Sequence, residues 1–321
     1  MGLIEQAAKR LEELRRAGVE IPEDAERPGP AAAQPPSPPP APVTLEITPP
    51  PVAPKVEPVA RPAPVEARAQ VEIDLARLAK AGFITPDAPR SGIAEEFRVI
   101  KRPLLANVAG KSAAPIKHAN LIMVTSAVPG EGKTFTSVNL AMSLAMELDR
   151  TVLLVDGDVA RPSVPGALGL QPRKGLLDVL ARRGRDPAEY IVGTNVPGLS
   201  ILMAGTQDPN AFEMLASSAM SRLLDDFATS DPQRIVIFDS PPLLATTEAR
   251  QLATNMGQVV MVVRAQSTLQ AQVTAALATI EACPVKLMVL NAVSGTLQAG
   301  YGYGYGYGYG YGDSGGSGKA P

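Results

Sequence analysis

The sequence predicts an α/β protein built on a doubly wound, mostly parallel sheet. Three observations point there. From Leu121 onward, short runs rich in Val, Ile and Leu alternate with longer helical stretches. The runs are continuously apolar rather than alternating, as expected of strands buried on both faces. Acidic or glycine-rich turns follow several of them, at the strand ends where parallel sheets bind ligands.

Taken in order, residues 1–20 read as an amphipathic helix. Leu3, Ile4, Ala7, Ala8, Leu11 and Leu14 recur at helical spacing, and Gly18 with Pro22 beyond it marks the stop. Residues 21–70 form a linker in which prolines crowd between Pro28 and Pro64, so an extended, disordered spacer is expected. Residues 71–90 hold a second short helix. Its Leu75, Leu78, Ala81, Gly82 and Pro86 repeat the spacing of Leu11, Leu14, Ala17, Gly18 and Pro22, which reads either as chance or as a pair of docking helices. Residues 91–297 are the one segment able to build a sizeable core. The expected strands are Leu121–Ser126, Thr151–Asp156, Leu199–Met203, Arg234–Asp239, Gln258–Arg264 and Val285–Leu290, with helices around 133–148, 213–228 and 268–282. Residues 298–321 lack a core-forming pattern and are expected to be disordered.

Composition narrows the function. A net charge of −2 gives no field that would draw the chain to nucleic acid. Cys283 is the only cysteine, so an internal disulfide and a cysteine zinc site are excluded; it reads as a small buried hydrophobe in a reducing compartment. His118 is the only histidine and reads as a surface residue before the first strand. No apolar run approaches the roughly 20 residues that span a bilayer, and the N-terminus has no signal-peptide core. A cytoplasmic location is the expectation, with any membrane contact made through a partner.

Three segments carry the chemistry. The first is Ala127, Val128, Pro129, Gly130, Glu131, Gly132, Lys133 and Thr134, followed by Phe135, placed after a strand and before a helix. That is the context of a phosphate-binding loop, whose glycines let successive backbone N–H groups point at a triphosphate. Lys133 is placed to reach the β- and γ-phosphates of ATP, and the Thr134 hydroxyl to bind Mg²⁺. The second segment is the strand ending in Asp156, with Asp158 two residues on. Either carboxylate can accept a proton from an attacking hydroxyl, and Asp156 can also orient the metal. The third is Arg234–Asp239, an apolar strand ending in a single acid suited to holding Mg²⁺.

Together these segments resemble the P-loop tyrosine kinases of bacterial exopolysaccharide and capsule export, over about residues 90–295. The likeness includes Asp156, Asp158 and Arg161 of a Walker A′ segment, Arg161-Pro162-Ser163, Gly175-Leu-Leu-Asp178, the stretch from Ala204-Gly205 to Ser217, and Asp239-Ser-Pro-Pro242. Many relatives carry two consecutive arginines where this chain has Ala160 and Arg161. Residues 3–18 look like the exosortase-associated branch, whose membrane activator is a separate chain-length-determinant protein. The family's Glu-x-x-Arg-x-x-Arg oligomerisation motif is matched by Glu95, Arg98 and Lys101, with Lys in the last place. The resemblance implies a homo-oligomeric ring that opens as the tail is phosphorylated.

Six tyrosines, Tyr301, Tyr303, Tyr305, Tyr307, Tyr309 and Tyr311, alternate with glycine in the tail. Such a stretch extends roughly 40 Å and leaves every phenol accessible, which fits an autophosphorylation site. Two rival readings remain. A partition-type ATPase shares the fold but usually places a signature lysine where this chain has Val128. A catalytically idle scaffold of an export complex would bind ATP without forming phosphotyrosine.

Overall fold

A computed structural model describes residues 70–181 and 186–293. The expected N-terminal helix, the proline-rich linker and the tyrosine tail lie outside the described residues. Strand and helix alternate as β1 (Gln70–Val71), α1 (Leu75–Lys80), α2 (Gly92–Val108), β2 (Leu121–Ser126), α3 (Lys133–Ala145), β3 (Thr151–Asp156), α4 (Val164–Leu168) and α5 (Leu176–Ala181). A short 3₁₀ turn, Pro187–Glu189, leads to β4 (Val192–Thr194) and β5 (Leu199–Leu202). The chain continues through α6 (Ala211–Leu215), α7 (Ser218–Thr229), β6 (Arg234–Asp239), α8 (Thr247–Ala253), β7 (Gln258–Arg264), α9 (Gln270–Ala278) and β8 (Val285–Asn291).

The eight strands form one sheet in the order β1-β4-β5-β3-β6-β2-β7-β8. Every pairing is parallel except β4 with β5. Alternate residues of the inner strands enter opposite cores, which is the physical meaning of a doubly wound sheet. Leu121, Met123, Leu153, Val155, Val236 and Phe238 face the core shared with α5, α7 and α8. Ile122, Val124, Val152, Leu154, Ile235 and Ile237 face the core shared with α1, α2 and α3. Neither set has polar side chains to place in water, so the strands fit only at the centre.

Helix starts follow local capping chemistry. The Ser91 hydroxyl accepts from Ala94 N–H, Ser217 from Met220 N–H and Thr246 from Ala249 N–H. The Ser217 cap divides the helix expected over 213–228 in two, because its extended backbone (φ −78°, ψ 160°) interrupts the spiral between α6 and α7.

One boundary differs from expectation. The segment 71–90 is part of the folded domain, not a separate docking element. Ile73, Leu78 and Ile84 are each 1% exposed in the α3-side core. Asn195 clasps the segment from one side, accepting from Ile73 N–H (2.9 Å) and donating to its carbonyl (3.0 Å). Asn139 of α3 accepts from Ile84 N–H at 2.7 Å. The folded domain therefore includes residues ahead of Ser91, and Leu78 is a core side chain rather than a docking one.

Candidate active site

Parallel register sets the site. Asp156 of β3 pairs with Asp239 of β6, and Val124 of β2 pairs with that same Asp239, so three adjacent strands end together. The phosphate-loop segment leaves β2 at this edge and opens α3. Gly130 and Gly132 have φ of +84° and +97°. Gly132 caps α3 without a side chain, and a Cβ there would lie 2.1 Å from Asn291 Nδ2. Only glycine fits both the left-handed backbone and that close approach. The helix start thus presents bare N–H groups, as an anion site requires.

The loop is braced from behind. Glu131 is 2% exposed. Its carboxylate accepts from Val128 N–H (2.7 Å), Arg264 N–H (3.3 Å) and the Thr268 hydroxyl. Arg264 also donates to the Gly130 carbonyl at 3.1 Å, and Asn291 to the Glu131 carbonyl at 2.8 Å. Glu131 therefore turns into the protein, and the Val128 N–H is committed to it. Ala127 is fully buried in the core. The Phe135 ring packs on Phe83 with centroids 4.9 Å apart, tying the loop to the early segment.

In front, Lys133 Nζ lies 2.9 Å from Asp158 Oδ2. Thr134 Oγ1 donates to Asp239 Oδ2 at 2.7 Å, and Ser137 to Asp239 Oδ1 at 2.9 Å. The Ser163 hydroxyl sits 2.7 Å from Thr134 Oγ1 and 3.3 Å from Asp239 Oδ2. Asp156 Oδ2 accepts from the N–H groups of Ser163 and Val164, both at 3.1 Å. Its other oxygen, Oδ1, is buried with no partner. Burial, with the charges of Asp239 and Asp158 adding to it, pushes the Asp156 carboxyl up to about 8. Burial also raises Asp239, against the opposing pull of Lys133 and the Thr134 and Ser137 hydroxyls.

An orphaned carboxylate oxygen beside a second buried acid and two hydroxyls fits a divalent cation. Among the described residues no three His, Cys, Asp or Glu side chains form a ready-made metal cage. That matches the habit of Mg²⁺, which takes one or two carboxylates and completes its shell with water and phosphate oxygens. Thr134, Asp156 and Asp239 are the residues that can hold it.

The geometry brings together Lys133, Thr134, Asp156, Asp158 and Asp239. Sequence reading passed over Ser137, one helical turn beyond Lys133, and gave Ser163 no role. On α2, the exposed Glu95 and the half-buried Arg98 pair with each other at 2.5 Å. Lys101 departs from the expected interface role. It is 7% exposed, donates to the Ser143 carbonyl at 2.7 Å and pairs with Glu147 at 2.7 Å. Its ammonium satisfies the exposed carbonyl end of α3 within the same subunit. The six tail tyrosines lie outside the described residues, and among those residues no helix is long and apolar enough to cross a membrane.

Phosphate loop, strand-tip acids and sheet order define a P-loop NTPase. Residues 117–295, more than half of the chain, match the family model ParA, described as NUBPL iron-transfer P-loop NTPase. Within that class, the chain is 31% identical over 200 residues to the tyrosine-protein kinase YwqD of Bacillus subtilis strain 168, covering 62% of this chain and 80% of YwqD. It is 28% identical over 222 residues to tyrosine-protein kinase etk of Escherichia coli K12, covering 68% of this chain but 29% of etk. The solved kinase domain of E. coli ETK superposes with a TM-score of 0.53 at 25% identity, covering 70% of this chain and 83% of that one. The VpsO kinase domain gives 0.50 at 28% identity, covering 64% of this chain and all of that one. The chain belongs to the bacterial tyrosine-protein kinases. It spans most of YwqD and less than a third of etk.

Proposed function

We propose that the chain is an ATP-dependent protein-tyrosine autokinase that phosphorylates Tyr301, Tyr303, Tyr305, Tyr307, Tyr309 and Tyr311 of its own tail. The buried, unpartnered Asp156 Oδ1 beside Asp239 and the Thr134 hydroxyl carries this reading. It is a metal position at the mouth of a phosphate cradle. Bound Mg-ATP supplies the phosphoryl group and the metal's charge. Thr134, Asp156 and Asp239 would hold the metal, directly or through water. Lys133 exchanges Asp158 for the phosphates, which frees the Asp158 carboxylate. In the transfer, the bond from the bridging oxygen to the γ-phosphorus breaks and a bond from the phenol oxygen forms. ADP leaves with the electron pair, and the phenol proton passes to Asp158 or Asp156.

The reading extends to regulation. The kinase works as a homo-oligomer, with Glu95 and Arg98 at the contact. It is recruited from the cytoplasm to the inner membrane by a chain-length-determinant partner, and it regulates exopolysaccharide export. Its place in the exosortase-associated branch rests on residues 3–18, and the names of the relatives support the kinase assignment itself.

The test is incubation of purified protein with Mg-ATP, then mass spectrometry of the tail peptide, with Lys133→Met alongside. Phosphate on wild-type tails and none on the variant supports the reading. With the proposed activator's cytoplasmic segment also added, ATP hydrolysis with bare tails would make the chain a positioning-type ATPase, and nucleotide binding alone would make it a scaffold.

A further inference from the structure

Among the described residues, β8 is the last strand of the sheet and no strand pairs with its outer edge. Its residues alternate between half-buried and exposed. Leu287 and Val289 lean on the α3-side core. Met288 and Leu290 point the other way and are 60% and 58% exposed. The crossover helix α9 does not cover them, since it buries only Ala276.

Natural sheets guard such edges with charge, proline or a bulge. Here the strand carries one charge, Lys286, and that charge is withdrawn. Its ammonium is tied to the carbonyls of Cys283 (2.6 Å), Glu281 (3.2 Å) and Ile280 (3.4 Å). The strand has no proline. An unguarded edge with two large apolar side chains calls for an occupant.

The chain itself holds a fitting one. The tail starts directly after β8, where Asn291 is anchored to the Glu131 carbonyl and Ala292 takes a φ of +55°, turning the backbone out of the strand. The six tyrosines sit at every second position from Tyr301 to Tyr311. Period two is the period of a strand, so an extended tail carries all its phenol rings on one face and glycine on the other. Tyrosine favours strands, and a thioether pairs well with an aromatic ring. Glycine on the reverse face needs no room. The linking residues 294–300 allow the chain to double back, and the 11-residue stretch reaches about 36 Å, more than the roughly 23 Å of a seven-residue strand. Tethering keeps the local concentration near millimolar.

We propose that residues 301–311 add to the free edge of β8 as an antiparallel strand, with their tyrosine face over Met288 and Leu290. The surface is a resting dock for the chain's own tail. A phenol that exchanges its proton for a phosphoryl group gains about −1.5 to −2 charges and does not stay on an apolar face. Docking itself does not depend on the kinase reading; release by phosphorylation does.

Hydrogen exchange of the β8 amides, read by mass spectrometry without nucleotide, tests it. Three full-length proteins are compared: wild type, the chain with all six tail tyrosines changed to Ser, and Met288→Lys/Leu290→Lys. The expected result is exchange of β8 about tenfold slower in wild type than in either variant, with unchanged nucleotide affinity in all three. Equal rates in wild type and the tyrosine-free chain overturn the proposal. So does protection that persists in the tyrosine-free chain and grows with protein concentration, which would assign the edge to a second copy. A fourth sample, wild type carrying tail phosphate by mass, is expected to exchange as fast as the variants. Slow exchange there overturns the release step and leaves the dock standing.

Discussion

Asp156 shows what a ligand site costs a fold. Its carboxyl is held near 8 in the folded chain, against about 3.9 for an unfolded aspartate. Between those values the folded state keeps a proton that the unfolded state has lost. Stability from this group is therefore full below about pH 4 and drains away as pH rises towards 8. Asp156→Asn removes the dependence. The nucleotide-free variant is expected to melt higher than wild type at pH 8, with the gap closing towards pH 4, while tail phosphorylation falls by about 100-fold or more. Thermal melts at both pH values check the first part, and a phosphorylation time course the second. Glu131 makes the complementary case. Glu131→Ala leaves the half-buried Val128 N–H and Thr268 hydroxyl without their acceptor. About 1–3 kcal/mol of stability is expected to go, together with nucleotide affinity, as urea denaturation and nucleotide titration will show.

At the scale of elements, legibility tracked contiguity. The phosphate loop could be read because Ala127 to Thr134 are neighbours in the chain. Asp156 and Asp239 could be read because each ends an apolar strand. Ser137 and Ser163 were not legible as a pair, since the same carboxylate draws them in from different elements. The short helix within 71–90 was expected, but its place in the core was not, because a two-residue strand and a six-residue helix are too short to mark a buried face, and Ile73, Leu78 and Ile84 are core residues. Leu78→Ala is expected to cost about 2–5 kcal/mol, measured by urea denaturation; a loss below 0.5 kcal/mol would return the segment to the surface. Lys101 was assigned to an oligomer contact by its place in a three-residue motif, and motif spacing carries no sign that its ammonium turns inward to the Ser143 carbonyl and Glu147. Lys101→Met is expected to lower the melting temperature and leave assembly unchanged. Arg98→Ala is expected to do the reverse, with size-exclusion chromatography reading the assembly.

For the whole molecule, the sheet order brings three strand tips and one helix start to a single edge, and the tail leaves from the outermost strand. Asn291 links that departure point to the phosphate loop. In a homo-oligomer a neighbour can receive the tail as readily as its own subunit. An isotope-labelled Lys133→Met chain mixed with wild type is therefore expected to gain tail phosphate, and a bare labelled tail would confine transfer to one subunit. The central claim is that this edge moves phosphate from ATP to the chain's own phenols. Intact-mass spectrometry of the full chain, after incubation with Mg-ATP and the cytoplasmic segment of the proposed membrane partner, tests it most directly. The account predicts a ladder of added phosphoryl groups, up to the six tail tyrosines, which Lys133→Met alone does not form. Free phosphate in solution with the protein mass unchanged would contradict it.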